Sequence, residues 1–413
     1  MKKESLFATL INLKENPRAC VYTEPLWGIP YNLFFPYASV YMLSLGVKDT
    51  QIGLIASIGM AFQILFSLLG GVITDKLGRR KTTFIFDIIA WSIPCLIWTF
   101  SHSFMNFLIA AIINSVLRVT ANSWGCLLVE DANKDNIIKI YTWVYISGLG
   151  AAFFAPIAGI FIGKFQLIPT VRVLYFIGFI MMTLKFVLLY IYSRETYQGK
   201  IRLEETRNES IISMLKGYGE VIKHIFNTPQ TVFTLVIMLI MSIINMVNAS
   251  FWSIIVTEKI NIPAKAIGLF PFLRSLIMLL FFFTIIPKIN VLRFKRPLFL
   301  GFITFIISQL ILVISPANGY IFLIISIFLE ACSLSFINPL LDSMQVIMVD
   351  AKERARIIAV LYVVVIALSS PFGYIAGILS SIDRRLPFLM NIILLFIGSI
   401  ITIMSSYFKK SKK

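Results

Sequence analysis

Long apolar runs follow one another down almost the whole of this 413-residue chain, parted by short intervals that hold most of its charge. Each run spans roughly 19–28 residues, enough for a helix to cross the hydrocarbon core of a bilayer. Inside lipid every backbone N–H and C=O must be satisfied within the protein, so such runs become helices rather than open strands. About twelve helices are predicted, near 20–45, 51–74, 82–101, 104–129, 138–162, 171–193, 230–256, 264–287, 297–315, 319–347, 357–381 and 387–408. Hydrophobic residues make up 58% of the chain and charged residues 14%, with Phe alone occurring 36 times. A soluble fold of this length cannot hide that much apolar surface. The reading is an all-α integral membrane protein.

The placement of charge tests the count and sets an orientation. With both termini in the cytoplasm, the inner segments carry 27 Lys and Arg and the outer ones 7; the other three, Arg118, Lys185 and Arg274, fall inside runs. An excess of this size fixes a multi-pass topology in the cell membrane. The net charge of +17 therefore decorates membrane surfaces, and no nucleic-acid partner is expected. The first run is too long for a signal-peptide core and lacks a small-residue cleavage site, so it reads as a retained span. Cys20, Cys95, Cys126 and Cys332 show no paired or metal-ligand spacing and read as buried small apolar groups.

The chain divides into a six-helix half at 1–193, a linker at 194–229 and a second six-helix half at 230–413. In the linker, Asn208 and Glu209 begin a helical pattern of apolar residues, from Ile211 to Phe226, expected to lie on the inner membrane surface. The halves echo each other. Ile52-Gly53-Leu54 returns as Ile267-Gly268-Leu269, Val129-Glu130-Asp131-Ala132 as Val349-Asp350-Ala351, and Ile157-Ala158-Gly159-Ile160 as Ile375-Ala376-Gly377-Ile378. The three offsets, 215, 220 and 218 residues, keep one order and nearly one spacing.

Between the second and third runs lies Gly71-Val72-Ile73-Thr74-Asp75-Lys76-Leu77-Gly78-Arg79-Arg80-Lys81. The cost of burying charge in lipid confines this stretch to the surface as a tight loop. It resembles the loop signature of the major facilitator superfamily, a glycine, an Asp and then Gly-Arg-Arg or Lys. Two six-helix halves related by a parallel repeat are that superfamily's architecture. In the second half the basic loop at 286–296 keeps cations but has Asn290 and Arg293 where Asp75 and Gly78 stand. Ala155-Pro156-Ile157-Ala158-Gly159 is similar to the superfamily's antiporter signature, with Ala for its first Gly and Ile160 for its last. Glu195-Thr196 with Gly199 is a faint likeness to an element of its sugar porters, without the preceding proline.

The resemblance implies a cytoplasmic gate of Gly71, Asp75, Gly78, Arg79, Arg80 and Glu130, latching the first half against helix eleven. The bland alternative is that these charges anchor helix ends to lipid head groups. It also implies that helices one, four, seven and ten line a central cavity. Arg118 and Glu330 fall near the middle of runs four and ten, so both are candidates for that cavity. Arg274, Asn32, Asn245, Asn248, Asn338 and Trp252 are the other candidates. Glu330 is the favoured proton carrier, with Asp342 second. A salt bridge that binds nothing is the competing reading for Arg118. Asp87 is assigned to the loop network, Lys185 to snorkelling or packing, and Glu24 to a helix end or gate.

The function that follows is secondary active transport of a small organic solute by alternating access, coupled to protons. Drug-like efflux by antiport is favoured slightly over uptake of a sugar or metabolite by symport. A channel or a membrane-embedded enzyme is the reading from another class. Only two His exist, His102 and His224, and no nucleophile, metal-ligand or phosphate-cradling pattern appears, so no cofactor or metal is expected. The expected partners are the solute, protons and the lipid bilayer, with the chain acting as a monomer.

Overall fold

The computed structural model describes residues 6–133, 136–209, 227–284, 295–347 and 354–404. The expected surface helix from Ile211 to Phe226 lies outside them, as do Asn290, Arg293 and Asp350. Among the described residues eleven helices are long and apolar enough to cross a membrane. They are spans 2 to 12: Asp49–Leu77, Arg79–Thr99, Phe104–Val129, Ile137–Phe165, Leu167–Tyr192, Pro229–Lys259, Ala264–Thr284, Lys295–Ile314, Tyr320–Leu341, Val360–Ile382 and Leu386–Met404. The remaining expected run, span 1, is helical but broken into Glu15–Thr23, Pro25–Phe34, a tight turn Phe35–Tyr37 and Ala38–Ser44. Pro25 and Pro36 sit at the breaks, where each removes a backbone donor and crowds the preceding turn, while Pro30 is carried inside the piece Pro25–Phe34.

The chain forms two compact units, one of residues 1–35 and 58–216, the other of residues 36–57 and 217–413. In unit 1, Leu13, Cys20, Leu127, Leu128, Ile140 and Leu189 form a buried cluster that joins spans 1, 4, 5 and 6. Small residues let these helices close up. A Cβ on Gly28 would meet the Ala151 methyl at 3.0 Å, and one on Gly178 would meet the Phe34 ring at 3.0 Å. In unit 2, Ile237, Ile244, Phe302, Phe305, Ile337 and Leu395 pack spans 7, 9, 10 and 12 together.

Unit 2 also contains a close, glycine-mediated crossing between the first turns of span 2 and the later turns of span 11. A Cβ on Gly53 would lie 2.3 Å from the Gly373 carbonyl oxygen, and one on Gly377 would lie 2.7 Å from the Asp49 carbonyl. No side chain fits between these backbones, which is the small-residue packing favoured where lipid offers no hydrophobic drive. Asp49 closes the crossing at its rim. It accepts from the Ser380 hydroxyl at 2.9 Å and pairs with Arg384. The Tyr374 N–H donates to the Ser57 hydroxyl at 2.7 Å.

Span 3 departs from regular α-helix at Ile88–Ser92, where it takes a wider π turn. Such turns loosen backbone carbonyls and recur at functional positions. Here the Asn114 amide on span 4 donates to the Ala90 carbonyl at 2.7 Å, and the Ser92 hydroxyl accepts from Thr183 on span 6 at 2.7 Å. The irregularity is thereby held by its neighbours on both sides.

Candidate functional site

Three polar clusters stand out, two in unit 1 and one in unit 2. The first surrounds a cavity of about 300 Å³ within unit 1, lined by Glu24, Trp27, Asp87, Trp91, Trp124 and Lys185 together with Leu117, Thr120 and Ala121. The break before Pro25 sets Glu24 at the join of two helical pieces of span 1. Lys185 on span 6 reaches it, with Nζ 2.9 Å from Oε2 of Glu24. Both Lys185 and Asp87 are buried, at 5% and 6% exposure. The π turn begins directly after Asp87 and carries Trp91, so the two project from an irregular stretch.

Aromatic rings complete this wall. Trp27 stacks on Tyr31 with centroids 4.8 Å apart and meets Trp91 edge-on at 5.1 Å. The Lys185 ammonium sits 5.8 Å from the Trp27 ring and 5.6 Å from the Trp124 ring, within cation–π range. Sequence reasoning assigned Lys185 to snorkelling or packing and Asp87 to the loop network; the snorkelling reading and the Asp87 assignment are corrected here. Lys185 turns inward because Glu24 gives its charge a partner, a stronger pull than a long climb to the head groups. Asp87 faces the cavity, two turns inside the membrane end of span 3.

The second cluster closes the cytoplasmic end of unit 1. Arg79 pairs with Asp75 at 3.0 Å and with Glu130 at 3.1 Å, and Arg202 pairs with Asp75 at 2.9 Å. The hydrogen bond to Asp75, ahead of that to Glu205, holds the Arg202 guanidinium above its ordinary range. Glu195 caps span 3, accepting from the backbone N–H groups of Arg79 at 2.8 Å and Arg80 at 3.1 Å. A carboxylate at a helix N-terminus satisfies free donors and meets the favourable end of the dipole. This explains the glycine of the loop: Gly78 has φ +82°, and a Cβ there would lie 2.5 Å from the Glu195 carboxylate.

Thr196 caps the short helix Tyr197–Glu205 by accepting from Gly199 N–H at 2.9 Å, and its hydroxyl donates to Glu130. Gly199 leaves room for Glu195, since a Cβ would fall 2.0 Å from its Oε1. The Glu195-Thr196 and Gly199 element, faint in sequence, is therefore an integral part of the network. Arg80 turns away from the carboxylates. It donates to the Tyr190 carbonyl at 2.6 Å and lies 4.0 Å from that residue's ring centroid. Gly71 sits beside Asn122 without a tight contact.

The third cluster lies inside unit 2. Glu330, 2% exposed, pairs with Arg274 at 2.8 Å and accepts from the Asn248 amide at 3.4 Å. Asn391 on span 12 extends the chain, donating to Asn248 at 3.2 Å and to Gln309 at 3.3 Å. Arg274 also lies 5.8 Å from the Trp252 ring. Four expected cavity residues, Glu330, Arg274, Asn248 and Trp252, are thus brought together. Asn391 was missed, although a lone amide in the apolar run 387–408 marks it. Arg118 belongs to unit 1 and donates from Nε to Gln63 at 2.8 Å. Asn32 bonds back to its own helix at Gly28, Asn245 is exposed and Asn338 half-buried. The Asp342 side chain lies outside the described residues. Among the described residues no group of three or more His, Cys, Asp or Glu could hold a metal ion.

Comparison with known proteins adds a family and a fold. The family model described as Major Facilitator Superfamily matches residues 27–289. No curated protein matches the chain in sequence. Among solved structures, a mutant of the nucleoside transporter NupG is 14% identical with a TM-score of 0.74, over 94% of this chain and 99% of that one. A POT family transporter in complex with a thioalcohol-conjugated peptide is 15% identical with a TM-score of 0.69, over 96% and 98%. The human organic anion transporter MFSD10 (TETRAN) is 15% identical with a TM-score of 0.61, over 94% and 98%. Identities this low speak for the fold alone.

Proposed function

The chain belongs to the major facilitator superfamily, a family of transporters rather than enzymes, and from this we propose that it exchanges a small organic solute for protons across the cell membrane. The observation that carries this reading is a buried ionisable cluster at membrane depth in each unit, Glu24–Lys185–Asp87 in one and Glu330–Arg274 in the other. Charge at that depth is costly and is kept where it binds solutes or relays protons. Glu330 is the proposed coupling acid, because protonation would release Arg274 and reorganise the amide chain behind it. Both termini are placed in the cytoplasm on the strength of the Lys and Arg asymmetry. Uptake by symport is the second reading, favoured by the fold shared with nucleoside and peptide transporters.

The test is a screen of small organic solutes in proteoliposomes, with and without a proton gradient. Saturable counterflow that responds to the gradient is expected, and the sign of the response separates exchange from symport. Flux that rises linearly with solute and ignores the gradient would mark a channel instead.

Asp75 is proposed as the pivot of the cytoplasmic gate. Its carboxylate serves two guanidinium groups, Arg79 and Arg202, so Asp75→Asn leaves both short of negative charge while keeping the shape. Transport should fall by about one order of magnitude, the scale of a typical coupling free energy, while the amount of protein in the membrane stays the same. Wild-type flux in that variant would reduce the cluster to a helix-end anchor.

A further inference from the structure

The cavity of unit 1 holds an imbalance of charge. Two carboxylates, Glu24 and Asp87, share its wall with one ammonium, Lys185. Lys185 is committed to Glu24 at 2.9 Å. Among the described residues no cation lies within ion-pair distance of Asp87, which is 6% exposed. A buried carboxylate without a counter-ion is strongly disfavoured, so the site is stable only when something neutralises it.

The groups that face Asp87 are few. Span 1 contributes Glu24 and the fully buried Cys20, span 6 contributes Lys185, and its own helix has Arg80, whose guanidinium is occupied by the Tyr190 carbonyl. Span 4 presents only Leu117, Thr120, Ala121 and Trp124 to the cavity. Thr120 gives Asp87 a hydrogen bond and the Lys185 ammonium acts on it at longer range, but the ion pair with Glu24 leaves one carboxylate of the two without a cation of its own. The free space beside it is walled by indoles, and two of them already flank an ammonium, that of Lys185. Trp91, four residues beyond Asp87, faces the same cavity. A negative centre next to electron-rich ring faces selects a cation with a flat apolar body over a neutral or anionic molecule.

We infer that this cavity binds a monovalent aromatic organic cation, with its charge on Asp87 and its body against Trp27 and Trp91, and that a proton on Asp87 takes the cation's place when the site is empty. This rests on the transport reading above and gives it a substrate class. The exchange is balanced: the cation enters with one positive charge, the Asp87 O–H bond breaks, and one proton leaves. Proton and cation compete for a single carboxylate, so this site gives up its own proton on binding, in addition to the coupling role proposed for Glu330.

The test uses the purified full chain and N-methyl-4-phenylpyridinium as the probe, followed by tryptophan fluorescence. Uncharged 4-phenylpyridine and anionic 4-phenylbenzoate at pH 8 are the comparators. The cation is expected to bind about tenfold or more tightly than either. In weak buffer about one proton should appear per cation bound, and affinity should fall by up to about tenfold per unit as pH is lowered. Asp87→Asn should erase both the proton release and the charge preference, and Asp87→Glu should restore them. Equal binding of 4-phenylpyridine, cation binding without proton release, or an intact preference in folded Asp87→Asn would each overturn the inference. Proteoliposomes keep the two readings apart. Cation binding without counterflow of any solute leaves the site standing and removes the transport reading. Counterflow of other solutes with no cation binding does the reverse.

Discussion

Lys185→Ala is expected to lower the stability of the chain by about 3–5 kcal/mol, the loss typical when one partner of a buried ion pair is removed. Among the described residues the Lys185 ammonium is the sole basic group in a wall that contains both Glu24 and Asp87. Its removal leaves two carboxylates in low dielectric, and it also removes an ammonium held within about 6 Å of the Trp27, Trp124 and Phe186 rings. Breaking a buried pair from one side is far worse than deleting it from both. The double variant Lys185→Met with Glu24→Gln should therefore recover most of the loss, because the charge is gone and the volume is kept. Thermal unfolding in detergent measures this as a deep drop for the single variant and a shallow one for the double. Equal melting of Lys185→Ala and wild type would show that Glu24 draws its compensation from elsewhere.

Glu330→Gln carries the other large effect. The glutamine keeps the shape and still accepts from Asn248, but it leaves the Arg274 guanidinium without its counter-charge. It also cannot gain or lose a proton. Solute accumulation driven by a proton gradient should fall by about a hundredfold, equivalent to roughly 3 kcal/mol, which is within the range for a truncated buried pair. Counterflow without a gradient should persist, since that exchange needs no net proton movement. Accumulation assays on matched proteoliposomes make the comparison. Gradient dependence retained in this variant would move the coupling acid away from Glu330.

Much of this was legible in the sequence, and the parts that were not share a cause. The apolar runs and the surface loop at 71–81 follow from local pattern and from the cost of charge in lipid, while the gate set that contains Arg79 and Glu130 came with the family resemblance. The prolines at 25 and 36 were equally visible, yet hydropathy alone does not show that they divide span 1 into pieces. The cavity of unit 1 was hidden for a different reason. Run length gives depth in the bilayer but not rotation about the helix axis, and Glu24, Asp87 and Lys185 come from three helices. The π turn at Ile88–Ser92 further shifts the phase of span 3 at the point where Asp87 and Trp91 are placed. Arg118 and Glu330, grouped by depth as one cavity pair, belong to different units with their own partners. The role of Glu195 was invisible because it depends on a span-3 terminus 115 residues away in sequence.

That carboxylate also governs how much chain is left to join the two halves. By sequence alone the connection runs from Arg194 to Pro229. In the structure its opening stretch is fastened to unit 1: Asn16 accepts from the Arg194 N–H at 2.7 Å, Glu195 and Thr196 are tied as described, and the Thr206 carbonyl accepts from Lys76 at 3.1 Å. The fastened stretch up to Thr206 therefore counts with unit 1 rather than with the connection. The same few carboxylates that close one end of unit 1 thus also set where that unit stops.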